Sequence, residues 1–307
     1  MTRLRTKYIG GLALAVASVT ALAACSSSSS SSSGSATNTT TTPGAVSQPG
    51  SITYALAPGA VPNWILPMPT SSTNSVYNVF NFEWQSWPPM YYAPSGSTPT
   101  VDPTLSVANP PVWSNGDKTF SITLKSWKWN NGQTISSKDV QFTFDMIKAA
   151  VKASPANWAA YVPGYFPDII TSTSTPDAST IVVNLSKAVN PTWLEYDILG
   201  GVPIMPASAW SKDSASGPTL DYTNPANAAK IFAFLTAASK SVSTYATNPL
   251  WQTVYGPYKI SSFNDTTGAI KMVPNNTYSG PHANPKSTDP VSTAFHSAAS
   301  EVNGTPT

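Results

Sequence analysis

Residues 118–151, KTFSITLKSWKWNNGQTISSKDVQFTFDMIKAAV, constrain the fold more than any other stretch of the chain. Phe120, Ile122 and Leu124 alternate with polar residues, the period of a half-buried strand. Asn131-Gly132 supplies a turn. The period then changes, and Val140, Phe144, Ile147 and Val151 fall on one helical stripe. Ser136 stands where a helix cap is needed, and Asp139 places a carboxylate against the helix-start dipole. Pro155 marks the limit of the helix. A strand and a helix that are each apolar on one side need a second layer, so this chain must build packed sheet and helix.

Other segments repeat the pattern. Ser51 to Leu56 reads as a strand, and APGAVPNWILPMP then breaks it with prolines. Ile169–Thr175 and Thr180–Leu185 flank Pro176-Asp177 as a hairpin, and Tyr258–Phe263 with Ala269–Val273 form another through NDTTG. Pro225 after Asn224 opens a second helix with a stripe of Ala228, Ile231, Phe232 and Leu235. Val76 to Met90 is rich in aromatics and fits helix and strand equally. Strands and helices are mixed without a βαβ rhythm or an internal repeat, which predicts an α+β fold.

Residues 1–24 read as a secretory signal. Arg3, Arg5 and Lys7 precede an apolar run from Ile9 to Leu22, which is too short to serve as a spanning helix. The run closes on Leu22-Ala23-Ala24-Cys25, a sequence that resembles the bacterial lipobox and implies a lipidated Cys25. Several acyl chains give stable anchoring where one chain does not. Residues 25–50, rich in Ser and Thr, read as a flexible tether. The folded part then begins near Ser51 and offers about 250 residues, one large domain or two small ones. Cys25 is the only cysteine, so no disulfide braces the fold.

Several function classes are excluded or disfavoured. The chain carries +2, but three positive charges lie in the signal, leaving the remainder close to −1 without a basic block. That is no nucleic-acid surface. No apolar segment after the signal is long enough to cross a membrane. Charged residues are only 10% of the chain, against a typical value of about 25%. His282 and His296 stand in a polar C-terminal stretch without cysteines or an HExxH spacing, so no metal is expected. No nucleophile elbow or phosphate loop occurs, and nothing brings Glu83 and Glu195 together as a glycosidase pair. The reading is a non-enzymatic protein without a cofactor.

Aromatics are in excess, with ten tryptophans and thirteen tyrosines. Trp127 and Trp129 read as core residues beside a strand. Asn63 and Trp64 lie in the irregular Pro-rich segment, and Trp251 and Tyr255 just before Gly256-Pro257. Rings and amide donors of this kind grip sugars or peptides in a cleft, so these four are the ligand-binding candidates.

The 118–147 segment also resembles the signature region of the family 5 extracellular solute-binding proteins, the oligopeptide and dipeptide receptors of ABC importers. The matching residues are Trp129, Asn130, Asn131, Gly132, Asp139, Val140 and Phe142, with Asn131 where the family usually has Asp. TPDASTIVVNLSKAVNP, IMPASAW, YGPYKISSF and VPNNTYSG resemble further family segments in the same order. The resemblance covers about Ser51 to Gly280. It implies the first lobe of a periplasmic-binding-protein type II-like fold, with a mixed sheet and packed helices. It also implies a monomer held by Cys25 on the outer face of the cell membrane, capturing an oligopeptide or other small solute for ABC permease subunits. The solute class stays open, because the family also takes nickel complexes, haem and sugars. A cell-surface adhesion or carbohydrate-binding module is the alternative, and it predicts a complete, self-contained sheet and an exposed aromatic platform rather than an interrupted lobe. Residues 281–307 read as a polar tail without strand or helix signals, or as the start of a second lobe. Family members are usually much longer, so 51–307 is expected to bind peptides weakly and to expose an apolar face.

Overall fold

The computed structural model describes residues 50–57, 59–93, 100–281 and 287–294, with backbone alone at 50–55 and 287–294. The signal, Cys25, the tether, His282 and His296 lie outside the described residues. The described elements are β1 (Gly50–Leu56), the helical segment α1 (Val76–Asn78, a π turn Val79–Glu83, and Trp84–Ser86), β2 (Val112–Ser114), β3 (Thr119–Thr123) and α2 (Ser137–Ala153). They continue with β4 (Ile170–Ser174), β5 (Thr180–Leu185), α3 (Pro191–Trp193 running into a π turn Leu194–Ile198), α4 (Ala207–Trp210) and α5 (Pro225–Ser239). The last are β6 (Tyr258–Phe263), β7 (Ile270–Pro274) and β8 (Ser287–Ala294).

Two four-stranded sheets result, in the orders β1-β8-β7-β6 and β2-β3-β5-β4. The second is antiparallel throughout. Its register puts Phe120 opposite Val183 and Ile122 opposite Ile181, so the inward residues of neighbouring strands meet in pairs. The β4–β5 turn is closed by Asp177, whose Oδ1 accepts from the N–H groups of Ser179 and Thr180. The first sheet is mixed, with β1 parallel to β8 and the other pairs antiparallel. β8 runs through the stretch that carries no strand signal of its own. It pairs with β1 on one side and β7 on the other, and backbone pairing on both edges is a tertiary gain that local pattern does not encode.

α2 packs against β5, α4 and α5. Val140, Phe144, Ile147 and Val151 are buried as the stripe predicts, and so are Phe142, Met146 and Ala150. A helix covered on more than one side buries residues beyond a single stripe. Ser136 is the N-cap residue of α2, yet Asp139 does most of the work there. Its Oδ2 accepts from the Ser136 N–H (2.8 Å) and hydroxyl (3.0 Å), and its Oδ1 accepts from the Ala207 N–H at the start of α4 (2.8 Å). Burial pushes the Asp139 carboxyl up, while these hydrogen bonds act against the shift. The Asn130 amide clamps the chain before Tyr255, donating to Gln252 O and accepting from Val254 N–H. Gly132, at φ +88°, makes the turn between them and α2.

Candidate functional site

The aromatic-rich segment that fits either period in sequence forms the helix α1, mounted at both ends. At its start the Asn78 amide and Asn63 bond reciprocally: Asn78 Oδ1 accepts from the Asn63 N–H (3.0 Å), and Asn78 Nδ2 donates to Asn63 Oδ1 (2.9 Å). At its end the carbonyl of Ser86 accepts from the N–H groups of Tyr255 (3.2 Å) and Gly256 (2.8 Å). Any Cβ at position 256 would collide with the Gln85 carbonyl, so the close approach requires glycine. From below, Phe82 stacks on Tyr245 and Phe263, with ring centroids 5.8 and 6.5 Å away. Tyr77 packs on Leu56 and Ala60 after β1. α1 is therefore held by β1, β6 and the 254–257 segment together.

Its outer face is apolar and open. Val76, Phe80 and Trp84 recur every four residues and share one side of the helix. Val76 is 63% exposed and Phe80 50%, and Trp84 is half-buried beside Phe80, with centroids 4.5 Å apart in an edge contact. Asn63, also exposed, lies at the start of the same helix through its bonds to Asn78. A wall of two aromatic rings, one valine and one amide can stack on a ring or aliphatic chain and hydrogen-bond to a backbone amide.

The four sequence candidates separate. Asn63 is at the surface, whereas Trp64, Trp251 and Tyr255 are core residues. Tyr255 rivets three segments, its hydroxyl accepting from the Ile204 N–H and donating to the Pro88 carbonyl, with its ring edge-on to Trp129. Trp251 meets Trp210 edge-on at 5.4 Å. Trp64 precedes Ile65 and Leu66, whose N–H groups both bond to Ser239 Oγ. Trp127 and Trp129 are buried too, as read from sequence. Phe80 and Trp84 were legible only as part of an ambiguous aromatic run. The spacing 76, 80, 84 is the signal that would have placed them.

Glu83 and Glu195 stand in different surroundings. Glu195 Oε1 accepts from Trp113 Nε1 at 2.7 Å. Glu83, on the inward side of α1, is wholly buried, and neither of its oxygens has a hydrogen-bond partner among the described residues. Burial pushes its carboxyl well above the usual range. Among the described residues no group of three or more His, Cys, Asp or Glu could hold a metal ion.

Comparison with known proteins adds to this geometry. Residues 102–299 match the family model described as bacterial extracellular solute-binding proteins, family 5 Middle. Among curated proteins, none matches this chain. Among solved structures, the oligopeptide-binding protein AppA from Bacillus subtilis, in complex with a nonapeptide, is 14% identical with a TM-score of 0.55 over 81% of this chain and 41% of AppA. The periplasmic EDTA-binding protein EppA is 14% identical with a TM-score of 0.60 over 83% of this chain and 41% of EppA. NikZ from Campylobacter jejuni, in complex with Ni(L-His), is 16% identical with a TM-score of 0.54 over 82% and 42%. This chain spans about two fifths of the length of these structures, and at such identities the likeness is one of fold.

Proposed function

Because this chain belongs to the bacterial extracellular solute-binding proteins, family 5, we propose that it captures a peptide-like solute non-covalently against the outer face of α1 and serves an ABC importer. The family is one of extracytoplasmic binding proteins, not enzymes. The observation that carries the proposal is the exposed stripe Val76, Phe80 and Trp84, held rigid from both ends and from beneath. Asn63 adds the polar contact beside it, while Trp64, Trp251 and Tyr255 lie in the core, the Tyr255 N–H bonding to the Ser86 carbonyl at the end of α1. Pockets that hold a small solute tightly enclose roughly 70–90% of its surface, and one wall encloses far less. Binding by this wall alone is therefore weak, and a facing lobe would complete it.

Titration with a mixed peptide library, followed through tryptophan indole signals, tests the wall. The Trp84 indole should shift, and Phe80→Ala or Trp84→Ala should weaken binding by about tenfold or more. Covering a ring of this size is worth about 1.5–3 kcal/mol, and 1.4 kcal/mol is tenfold. Undiminished binding in both variants, at unchanged melting midpoints, would refute the assignment.

Anchoring is the second part of the proposal. Cys25 resembles the lipid acceptor of a lipobox, and acyl chains would tether the folded part through residues 25–50. Cys25→Ser should then abolish lipid labelling and move the protein out of the detergent phase. Partition of the variant at the wild-type level would contradict this.

A further inference from the structure

The sheet β2-β3-β5-β4 carries a surface feature that the α1 wall does not use. Next to it, an open depression of about 680 Å³ is lined by Val162, Tyr165, Lys187, Val189, Asn190 and Trp193. Pockets for small ligands span roughly 300–1,000 Å³. The Tyr165 and Trp193 rings meet at 66° with centroids 5.5 Å apart, forming a corner. Tyr165 is 44% exposed and Val162 47%, so the corner opens to solvent.

The polar groups at this corner share one character. Lys187 Nζ sits 4.1 Å from the centroid of the Tyr165 ring. It has no carboxylate partner, since the ion pair found among the described residues is Lys148 with Asp145. Two acids on the adjoining segments are engaged elsewhere: Asp168 Oδ2 accepts from the Tyr161 hydroxyl and the Gly164 N–H, and Glu195 accepts from Trp113. Asp117, whose carbonyl accepts from the Val189 N–H, and Asp197 on α3 make no ion pair with Lys187. Asn190 uses its Oδ1 to cap α3, accepting from the Trp193 N–H at 3.2 Å, which leaves its amide nitrogen to offer. The corner thus presents two rings, one ammonium and one amide donor.

We propose that this corner is a second binding site, for a ring that carries a carboxylate: an aromatic acid or a uronic-acid sugar. The ring lies in the angle between Tyr165 and Trp193, and the carboxylate meets Lys187 and the Asn190 amide. A cationic ligand is repelled by Lys187. A neutral ring leaves the ammonium without a counter-charge, and a bare anion leaves the exposed surface of the two rings uncovered.

Saturation-transfer NMR on the full chain tests this, using phenylacetate and glucuronate as probes, with benzyl alcohol and acetate as controls. At least one probe should bind about tenfold tighter than either control. Its affinity should fall about tenfold in Lys187→Gln and again in Tyr165→Ala, and stay unchanged in Phe80→Ala, which alters only the α1 wall. Phenylacetate alone would assign the aromatic acid, and glucuronate alone the sugar. Lys187 is exposed, so its replacement leaves the fold intact even if Tyr165→Ala does not. No binding of either probe, binding no tighter than the controls, or binding undiminished in Lys187→Gln overturns the proposal.

Discussion

Replacing Glu83 by methionine should raise the stability of the fold at pH 7 and remove much of its pH dependence between about 4.5 and 7. Glu83 is wholly buried, and neither oxygen finds a hydrogen-bond partner among the described residues. Burial holds its carboxyl well above its ordinary value of 4.5. The native state therefore keeps a proton that the unfolded chain releases. Stability is fully present below the unfolded value and falls as pH rises above it, by about 1.4 kcal/mol per pH unit until the folded value is reached. Methionine fills a similar volume without the charge, and replacing an unpaired buried polar group by an apolar one of like shape is neutral or stabilising. Asp145 acts in the same direction, pushed up to about 6 by burial and only partly drawn back by Lys148. Asp102, Asp177 and Asp221 have the opposite sign. Hydrogen bonds from Thr104, Ser179 and Thr223 hold them low, and their contribution is lost as pH falls below the ordinary carboxylate range. The wild-type protein should thus be most stable in mild acid. Urea unfolding from pH 4 to 8 measures this. A wild-type midpoint that climbs from pH 5 to 7, or a Glu83→Met protein no more stable than wild type at pH 7, contradicts the argument.

Asp139→Ala, which removes a buried carboxylate at the start of α2, should cost about 3–5 kcal/mol. Two backbone donors, Ser136 N–H and Ala207 N–H, lose their acceptor, at about 1–3 kcal/mol for each buried group left unsatisfied. The start of α2 also loses its cap, typically about 0.5–2 kcal/mol. Ser136→Ala should cost about 1 kcal/mol or less, because the Ser136 hydroxyl donates to Asp139 and the carboxylate still holds the Ser136 N–H. Denaturant midpoints of the two variants decide the matter. Equal losses would mean that Asp139 is not the hub that joins α2 to α4. Should Asp139→Ala fail to fold, Asp139→Asn, which keeps one acceptor oxygen, should fold with a smaller loss.

Features that depend on near neighbours are legible from the residues alone. The alternation in β3 and β5, the stripe of α2, the two hairpins and the Asn224-Pro225 helix start all follow from residues within a few positions of one another. The same short-range patterns, in their order along the chain, carried the family resemblance, and the family match includes most of them. Which aromatic rings face water, by contrast, is set by long-range packing. Tyr255 is buried because Pro88 and Ile204, distant in sequence, hold its hydroxyl, and Phe80 is exposed because Phe82, two residues on, takes the inward side against Tyr245 and Phe263. β8 lies where β1 and β7 offer edges, with little pattern of its own. Glu83 is buried for the same reason, without a hydrogen-bond partner among the described residues. Whether a ring or a carboxyl meets solvent is set by what packs on it from far along the chain, and hydrophobic burial carries no label of sequence separation.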